Sequence, residues 1–349
     1  MTFALRGFRD RDFLQTEEGF FCVVGSVHPR DRAISYLKYV PDPSGKWGRG
    51  KDRFKRVLPH YTILDLLETL KFLERYPEYL YDSAVLGIRM SAVPLNRILC
   101  HLRPEEKLSQ LMRTEKLDAL QRKVVDLANL ISDESGVSTK YLGVTGSLLL
   151  NIHRDFSDID LTVYGSKNSG TVKETLVRIY EEGESSISRF DERRTQEWCL
   201  DKVRMFPLTY EEAQRIFRRR WSRGLFHETM FSVHPVKLEE EATERYGDRT
   251  FKPQGMVKIE AKVLDASEAE FLPSVYKVGD VEVLEGQAVS DICEVASYEG
   301  FYSGVAGNSE KIAVYGKLES VIDERVKKEY HRVLVGSQEA KGTDYIKPF

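Results

Sequence analysis

The sequence predicts an α+β protein in three parts, because the pattern of apolar residues changes twice along the chain. The first part alternates apolar and polar residues over strand-like runs, whereas the middle mixes helical spacing with two short apolar runs. The last part indicates short strands separated by Gly, Asp and Asn. The predicted parts are an N-terminal β/α region at 1–113, a central domain at 114–248, and a small all-β barrel or sandwich at 249–349.

The composition argues against a membrane protein and gives no global sign of nucleic-acid binding. Of the 349 residues, 41% are hydrophobic and 31% are charged, and the net charge is −3 at pH 7. No run approaches the ~18 consecutive apolar residues of a membrane-spanning helix. The four cysteines lack the paired spacing of a zinc site. We therefore expect a cytoplasmic protein that makes no membrane contact.

Two predicted strands and a basic loop lie near the start of the chain. Residues 19–25 and 33–40 are strand-like, and the turn residues between them predict a hairpin. The next loop, 45–56, has Trp47 and Phe54 among basic residues, which could bind a phosphate backbone and stack a base. An ordinary solvent-exposed loop is the alternative. The basic residues are Lys46, Arg49, Lys51, Arg53, Lys55 and Arg56.

Three stretches after this loop have sequence features that predict helices. Leucines at helical intervals predict helix across much of 62–103, and an apolar stripe predicts a helix that opens after Thr114 and stops at Gly136. A capping box at Thr209 predicts a helix that runs through Arg220. Its basic end could hold a triphosphate or a nucleic-acid backbone, although arginines are favoured at any helix C-terminus. These arginines are Arg215, Arg218, Arg219, Arg220 and Arg223.

Two short motifs between residues 141 and 165 contain side chains and a turn that could bind a ligand. Gly146-Ser147 follows a short apolar run, and Asp158-Ile159-Asp160 opens another. In a strand, residues i and i+2 share one face, so Asp158 and Asp160 project two carboxylates from the same side. Magnesium is commonly held by such carboxylates together with substrate phosphates.

The Gly-Ser pair supplies the phosphate-binding half of the same predicted site. Gly146 lets the backbone approach a ligand closely. The residues after Ser147 are apolar enough to begin a short helix, whose N-terminal N–H groups favour an anion. A strand, a Gly-Ser turn, a short helix and a D-x-D strand together predict a compact site for a nucleotide and metal ions.

This pattern resembles the signature of the DNA polymerase beta-like nucleotidyltransferase superfamily. Gly146-Ser147, Ser157 and Asp158-Ile159-Asp160 match that signature at the appropriate spacing. The chain is also similar to a group of uncharacterised, mainly archaeal, predicted nucleotidyltransferases. The resemblance implies that a mixed sheet with helices forms the core of the central domain.

The resemblance also implies an activity, a metal and residue roles. Enzymes of this kind move a nucleoside monophosphate from an NTP, such as ATP, to an acceptor hydroxyl. Asp158 and Asp160 would be catalytic and hold two magnesium ions, for which manganese could substitute. Gly146 and Ser147 would bind the nucleotide phosphates, and Arg219 is a further candidate for nucleotide binding.

A third carboxylate usually completes such sites, on the strand beside the D-x-D strand, as the general base. Glu228 is the catalytic candidate because it is the only acidic residue in the strand-like run 226–233. Glu260 is its rival. Either would be a departure from the more usual aspartate.

Two other functions stay open from the sequence. One is a nucleic-acid-binding protein whose nucleotidyltransferase fold no longer catalyses, and the other is a transferase that adenylylates a partner protein. RNA or DNA could be the acceptor of the leading hypothesis, but the sequence leaves RNA, DNA, protein and a small molecule open, because fold alone does not choose the acceptor. Aromatic residues of the C-terminal part could stack bases or form an ordinary β core, and the oligomeric state stays open. These aromatic residues are Phe271, Tyr276, Tyr298, Phe301 and Tyr302.

Overall fold

The computed structural model describes residues 6–60, 62–183 and 185–349. Within these residues, nineteen strands form three sheets, and seven α-helices pack against them. The predicted α+β class is confirmed. No helix in the described part of the chain is long and apolar enough to cross a membrane.

The first sheet is antiparallel and contains the predicted hairpin. The prediction of helix across 62–103 is wrong beyond α1 (Ile63–Leu73), because the leucine spacing ends and three strands follow Pro77. The strands are β1 (Phe13–Gln15), β2 (Phe20–Val23), β3 (Arg32–Pro41), β4 (Trp47–Arg49), β5 (Asp52–Arg56), β6 (Leu80–Ser83), β7 (Ile88–Pro94) and β8 (Cys100–Leu102). Their order is β4-β5-β3-β2-β1-β8, with the β6–β7 hairpin attached to β3.

The second sheet is mixed and carries the D-x-D strand. Its strands are β9 (Leu142–Val144), β10 (Ile159–Tyr164), β11 (Ile187–Ser188), β12 (Arg223–Phe226) and β13 (Thr229–Val236). Their order is β11-β12-β13-β10-β9. β10 and β13 are parallel, and the other pairs are antiparallel.

Four helices share one apolar core with this sheet. The second of them begins at a capping box of Asp118 and Gln121 rather than after Thr114, because the Asp118 side chain accepts the Gln121 N–H at 2.9 Å. It ends at Gly136 as predicted. The helices are α2 (Pro104–Met112), α3 (Ala119–Ser135), α4 (Gly146–Leu149) and α5 (Ser166–Glu182).

Two further helices, α6 (Glu192–Met205) and α7 (Tyr210–Arg219), lie between β11 and β12 in the chain. The predicted capping box at Thr209 opens α7. The sequence gives little signal for α6, because half of its 14 residues are charged. Apolar residues of both helices, including Cys199 and Ile216, join the core of the C-terminal sheet rather than that of the second sheet.

The third sheet confirms the predicted C-terminal strands and closes on itself. Its strands are β14 (Arg249–Asp265), β15 (Ser274–Glu285), β16 (Ile292–Ser297), β17 (Lys311–Asp323), β18 (Lys328–Val335) and β19 (Tyr345–Pro348). The order is β14-β15-β16-β18-β17-β19, and β14 also pairs with β17. That additional pairing closes five strands into a barrel, to which β19 is added.

The first part of the chain contacts both of the others. The Thr145 hydroxyl, just after β9, donates to the Arg11 carbonyl at 2.7 Å. The Ile63 N–H, at the start of α1, donates to the Glu299 carboxylate of the barrel region at 2.9 Å. The loop that follows β9 therefore faces the N-terminal part of the chain.

Candidate functional site

The Gly-Ser turn and the D-x-D strand meet in space. β9 pairs with β10, and the Thr145 N–H donates to the Asp160 carbonyl at 2.9 Å. Gly146 turns the chain into α4 with a φ of +66°, and Ser147 follows as a buried residue. A Cβ atom on Gly146 would stand 2.5 Å from Asp160 Oδ2, so only glycine leaves room for that carboxylate. The predicted strand, turn, helix and strand therefore form one unit.

A chain of hydrogen bonds fixes the Asp160 carboxylate. Asp160 lies opposite Ser232 on the parallel strand β13, and the Ser232 hydroxyl donates to Asp160 Oδ1 at 2.6 Å. Because the Ser232 hydroxyl proton is already donated to Asp160, Ser232 Oγ accepts a hydrogen bond from His234 Nε2 at 2.9 Å. Burial lowers the pKa of His234 to about 4, so the neutral imidazole has one N–H to give. Burial alone would raise the pKa of Asp160, but His234, Lys38 and Ser232 together lower it well below its usual range.

The pKa of Asp158 is shifted in the opposite direction from that of Asp160. Asp158 immediately precedes β10, and its side chain is exposed yet crowded by protein atoms. This desolvation and the Asp160 charge raise the pKa of Asp158 to about 6, although Arg223, Arg56 and Lys38 act in the other direction. The two carboxylates repel each other, and a bound cation would relieve that repulsion.

The surrounding cations come from two sheets. Lys38 is buried on β3, with its ammonium nitrogen 5.4 Å from the centre of the Phe13 ring. Arg56 ends β5 and lies over the Trp47 ring, with 4.8 Å between the guanidinium carbon and the ring centre. Arg223 begins β12 in the second sheet. The candidate site therefore lies where the first two sheets face each other.

Three candidate residues do not join the Asp158–Asp160 pair. Glu228 occupies the turn between β12 and β13 with a φ of +63°, is 79% exposed, and pairs with Arg194 at 3.1 Å. The prediction of one continuous strand through Glu228 is wrong, because the chain reverses there. The rival Glu260 lies on β14 of the barrel. Arg219 pairs with Glu310, so it ties α7 to the barrel region instead of facing the two aspartates.

Ser232 and His234 are the site residues that sequence reasoning missed. Phe231 and Val233 are buried in the core, so alternation along β13 places Ser232 and His234 on the opposite face. Recognising the two-residue turn before β13 would have given this register. That turn is formed by His227 and Glu228, which are not residues that favour such turns.

The aromatic candidates of the C-terminal part belong mainly to its core. Phe271, Tyr276 and Tyr302 are buried, and the Tyr276 hydroxyl donates to the Tyr302 carbonyl at 2.6 Å. Phe301 stacks on Phe206 with 4.1 Å between ring centres. Of the two alternatives for Phe271, Tyr276 and Tyr302, the structure favours an ordinary β core, because their rings are covered by protein.

Comparison with known proteins identifies a relative across almost the whole chain. The chain is 33% identical to "Uncharacterized protein MJ1086" of Methanocaldococcus jannaschii over 345 residues, which are 97% of this chain and 98% of that protein. The chain belongs to the MJ1086 family. No protein-family model matches it, and no solved structure does. The name of the archaeal protein assigns no activity, so the chemistry of this MJ1086-family member has to be inferred from its own site.

The donor set fits a metal that is bound jointly with phosphates. Asp158 and Asp160 supply two neighbouring carboxylates, and Asp160 Oδ2 faces the glycine turn. Across the described ranges, no group of three or more His, Cys, Asp or Glu side chains is placed to hold a metal ion. Magnesium commonly takes one or two carboxylates and completes its shell with water and substrate phosphates. The pair in this MJ1086-family chain therefore suits magnesium that binds with a nucleotide.

Proposed function

We propose that this MJ1086-family protein is a nucleotidyltransferase with a polymerase beta-like core, which moves a nucleoside monophosphate from an NTP to an acceptor hydroxyl. The observation that carries the proposal is the contact between Gly146 and Asp160 Oδ2, with Asp158 beside it. It supports a site in which a triphosphate lies on the glycine turn next to two carboxylates. The parallel pairing of β10 with β13 in a mixed sheet agrees with such a core.

The chain's own residues would position the reactants. Asp158 and Asp160 would hold magnesium ions, which neutralise phosphate charge and activate the acceptor hydroxyl when bound. Ser232 and His234 hold one oxygen of Asp160, so the other stays directed at the turn. The acceptor oxygen bonds to the α-phosphorus, the bond from the α-phosphorus to the β-phosphate oxygen breaks, pyrophosphate leaves, and the hydroxyl proton passes to water. Such a reaction depends on positioning and charge stabilisation.

Positive charge for the triphosphate would come from the second sheet and from helices α6 and α7. Arg223 lies in register with Ser232, and Ser232 lies in register with Asp160, so the three form a row across the sheet. Burial and the nearby Arg223 charge lower the pKa of Lys202 to about 8 and that of Arg220 to about 10. Arg223 also acts on Asp158, so this group of mutually repelling cations reaches the carboxylate pair through Arg223, which suits a polyanion that carries magnesium. We expect Arg223 and Lys202, rather than Arg219, to bind the phosphates.

A second candidate function is a nucleic-acid-binding protein whose catalytic site is retired. Ser232 favours it, because this residue lies opposite Asp160 on the neighbouring strand, where the resemblance implies a third carboxylate. A hydroxyl brings neither the negative charge nor the basicity of that carboxylate. Magnesium-dependent nucleotide binding without transfer would identify this second function.

Calorimetric titration of magnesium and each NTP tests the proposed site. At about pH 8 the Asp158 carboxylate is ionised, since its pKa is about 6. Asp160→Asn keeps the shape but removes the charge, so the magnesium-dependent affinity should fall by about 100-fold or more. Glu228→Gln is the matched control, because it removes a carboxylate of the same sheet at an exposed turn, and it should bind like the wild type. Unchanged affinity in Asp160→Asn for every NTP would refute the assignment.

A further inference from the structure

The β4–β5 hairpin lies against the segment that leads into Asp158. The Gly48 N–H donates to the Ile152 carbonyl at 2.7 Å. Trp47 meets Phe156 edge-on, with 6.0 Å between ring centres. Phe156 precedes Asp158 by only two residues, so the hairpin borders the candidate site.

The lysines of the hairpin carry positive charge that no carboxylate of the described residues neutralises in an ion pair. Six of the eleven residues from 46 to 56 are Lys or Arg, and one is acidic. Lys46, Lys51 and Lys55 are exposed, and none of them forms an ion pair with a carboxylate of the described residues. Arg49 makes only a long contact with Asp118, at 3.9 Å. Unneutralised charge at the edge of a cleft attracts a polyanion.

An exposed aromatic ring accompanies this charge. Phe156 is 59% exposed, although its ring contacts Trp47 of the hairpin. Trp47 supports its edge, and Arg56 lies over the Trp47 ring. A basic track beside an exposed aromatic ring is the combination that binds single-stranded nucleic acid, because phosphates follow the charges and bases stack on the ring.

We propose that the β4–β5 hairpin and Phe156 bind a single-stranded nucleic acid, which is the acceptor whose terminal hydroxyl reaches Asp158 and Asp160. This inference rests on the proposed function and names its acceptor class. An acidic peptide would satisfy the lysines but leave the Phe156 ring unused, and a duplex would keep its base faces hidden. RNA and DNA strands share the required chemistry, so both are used in the test.

Fluorescence anisotropy with labelled single strands of about 12 nucleotides, one RNA and one DNA, measures binding by the full chain. Nucleotide and magnesium are left out, and salt is varied between about 50 and 200 mM. Phe156→Ala tests stacking, and two triple variants test charge. The hairpin triple variant carries Lys46→Ala, Lys51→Ala and Lys55→Ala, and the control triple variant carries Lys252→Ala, Lys311→Ala and Lys341→Ala, three exposed lysines elsewhere.

The hairpin triple variant should change the salt dependence of binding, whereas Phe156→Ala should change only the affinity. In the hairpin triple variant, the slope of log affinity against log salt should become shallower by about 2, because each phosphate contact to a single strand contributes about 0.7. Phe156→Ala should weaken binding about fivefold or more while leaving the slope unchanged, because it removes stacking and no charge. The control triple variant should keep the wild-type slope.

Four results would overturn the inference. In the anisotropy assay, they are no binding of either strand by the wild type, equal losses of affinity in both triple variants, and binding of polyglutamate as tight as that of the strands. The fourth, measured separately by calorimetry, is a hairpin triple variant that loses affinity for magnesium and NTP. The last would place the hairpin at the nucleotide rather than at the acceptor. Because the assay contains neither NTP nor magnesium, strand binding can succeed where nucleotidyl transfer fails, and the two failures are distinguishable.

Discussion

Replacing Gly146 by alanine tests the contact on which the site depends. Alanine at a φ of +66° costs about 1–2 kcal/mol of backbone strain. Its Cβ would also lie 2.5 Å from Asp160 Oδ2, so the carboxylate must move. That movement breaks the 2.6 Å hydrogen bond from Ser232, worth about 1.5–3 kcal/mol with a charged acceptor. The free energy of unfolding should therefore fall by about 2.5–5 kcal/mol.

Gly136→Ala is the matched control, because it adds the same methyl group at nearly the same backbone angle. Gly136 has a φ of +70°, and no described residue other than its neighbours along the chain has an atom within 4 Å of its Cβ position. This variant should lose only the strain, about 1–2 kcal/mol. Urea unfolding, followed by tryptophan fluorescence, to which Trp221 in the core of the second sheet contributes, measures both variants. Equal losses would refute the packing of Gly146 against Asp160.

Three further predictions concern charged groups. At about pH 8, Asp158→Asn should raise the Tm, because a pKa raised to about 6 means that the charge of Asp158 opposes folding above that pH. Asp160→Asn should lower the Tm at the same pH, because the lowered pKa of Asp160 means that its charge stabilises the fold. Thermal melts that shift in the same direction would contradict this pair. Burial raises the pKa of Glu299 to about 7, so its contribution to stability is lost as pH rises from about 4.5 to about 7, and Glu299→Gln should flatten that part of the Tm profile. Arg223→Gln should weaken NTP binding about tenfold or more in calorimetry, while Arg219→Gln should leave it unchanged; the reverse ranking would restore Arg219 as the phosphate ligand.

The carboxylate pair and the glycine turn could be predicted from the sequence because their signals are local. The i, i+2 spacing of Asp158 and Asp160 requires only that the chain be extended there. Gly146 follows a short apolar run, and the structure shows that a side chain at that position would meet Asp160. Both features lie within one short segment, so no distant contact has to be known.

The groups that shift the pKa values of Asp158 and Asp160 could not be predicted, because they come from distant strands. Lys38 and Arg56 belong to the first sheet, and their proximity to Asp158 depends on how two sheets face each other. Ser232 reaches Asp160 through a register that is set by an unusual turn sequence. Even the basic run that begins at the end of α7 divides between two roles, since Arg219 pairs with the barrel region while Arg223 lies in the row with Ser232.

The most direct test of nucleotidyl transfer follows two labels on the same NTP. The protein is incubated with magnesium and single-stranded RNA or total cell extract, and each NTP carries radioactive phosphorus at either the α or the γ position. Label from the α position should appear in the acceptor, whereas label from the γ position should appear in pyrophosphate, and Asp160→Asn should abolish both. Failure of every NTP to label an acceptor from the α position, or transfer of the γ label to the acceptor, would contradict the proposed reaction.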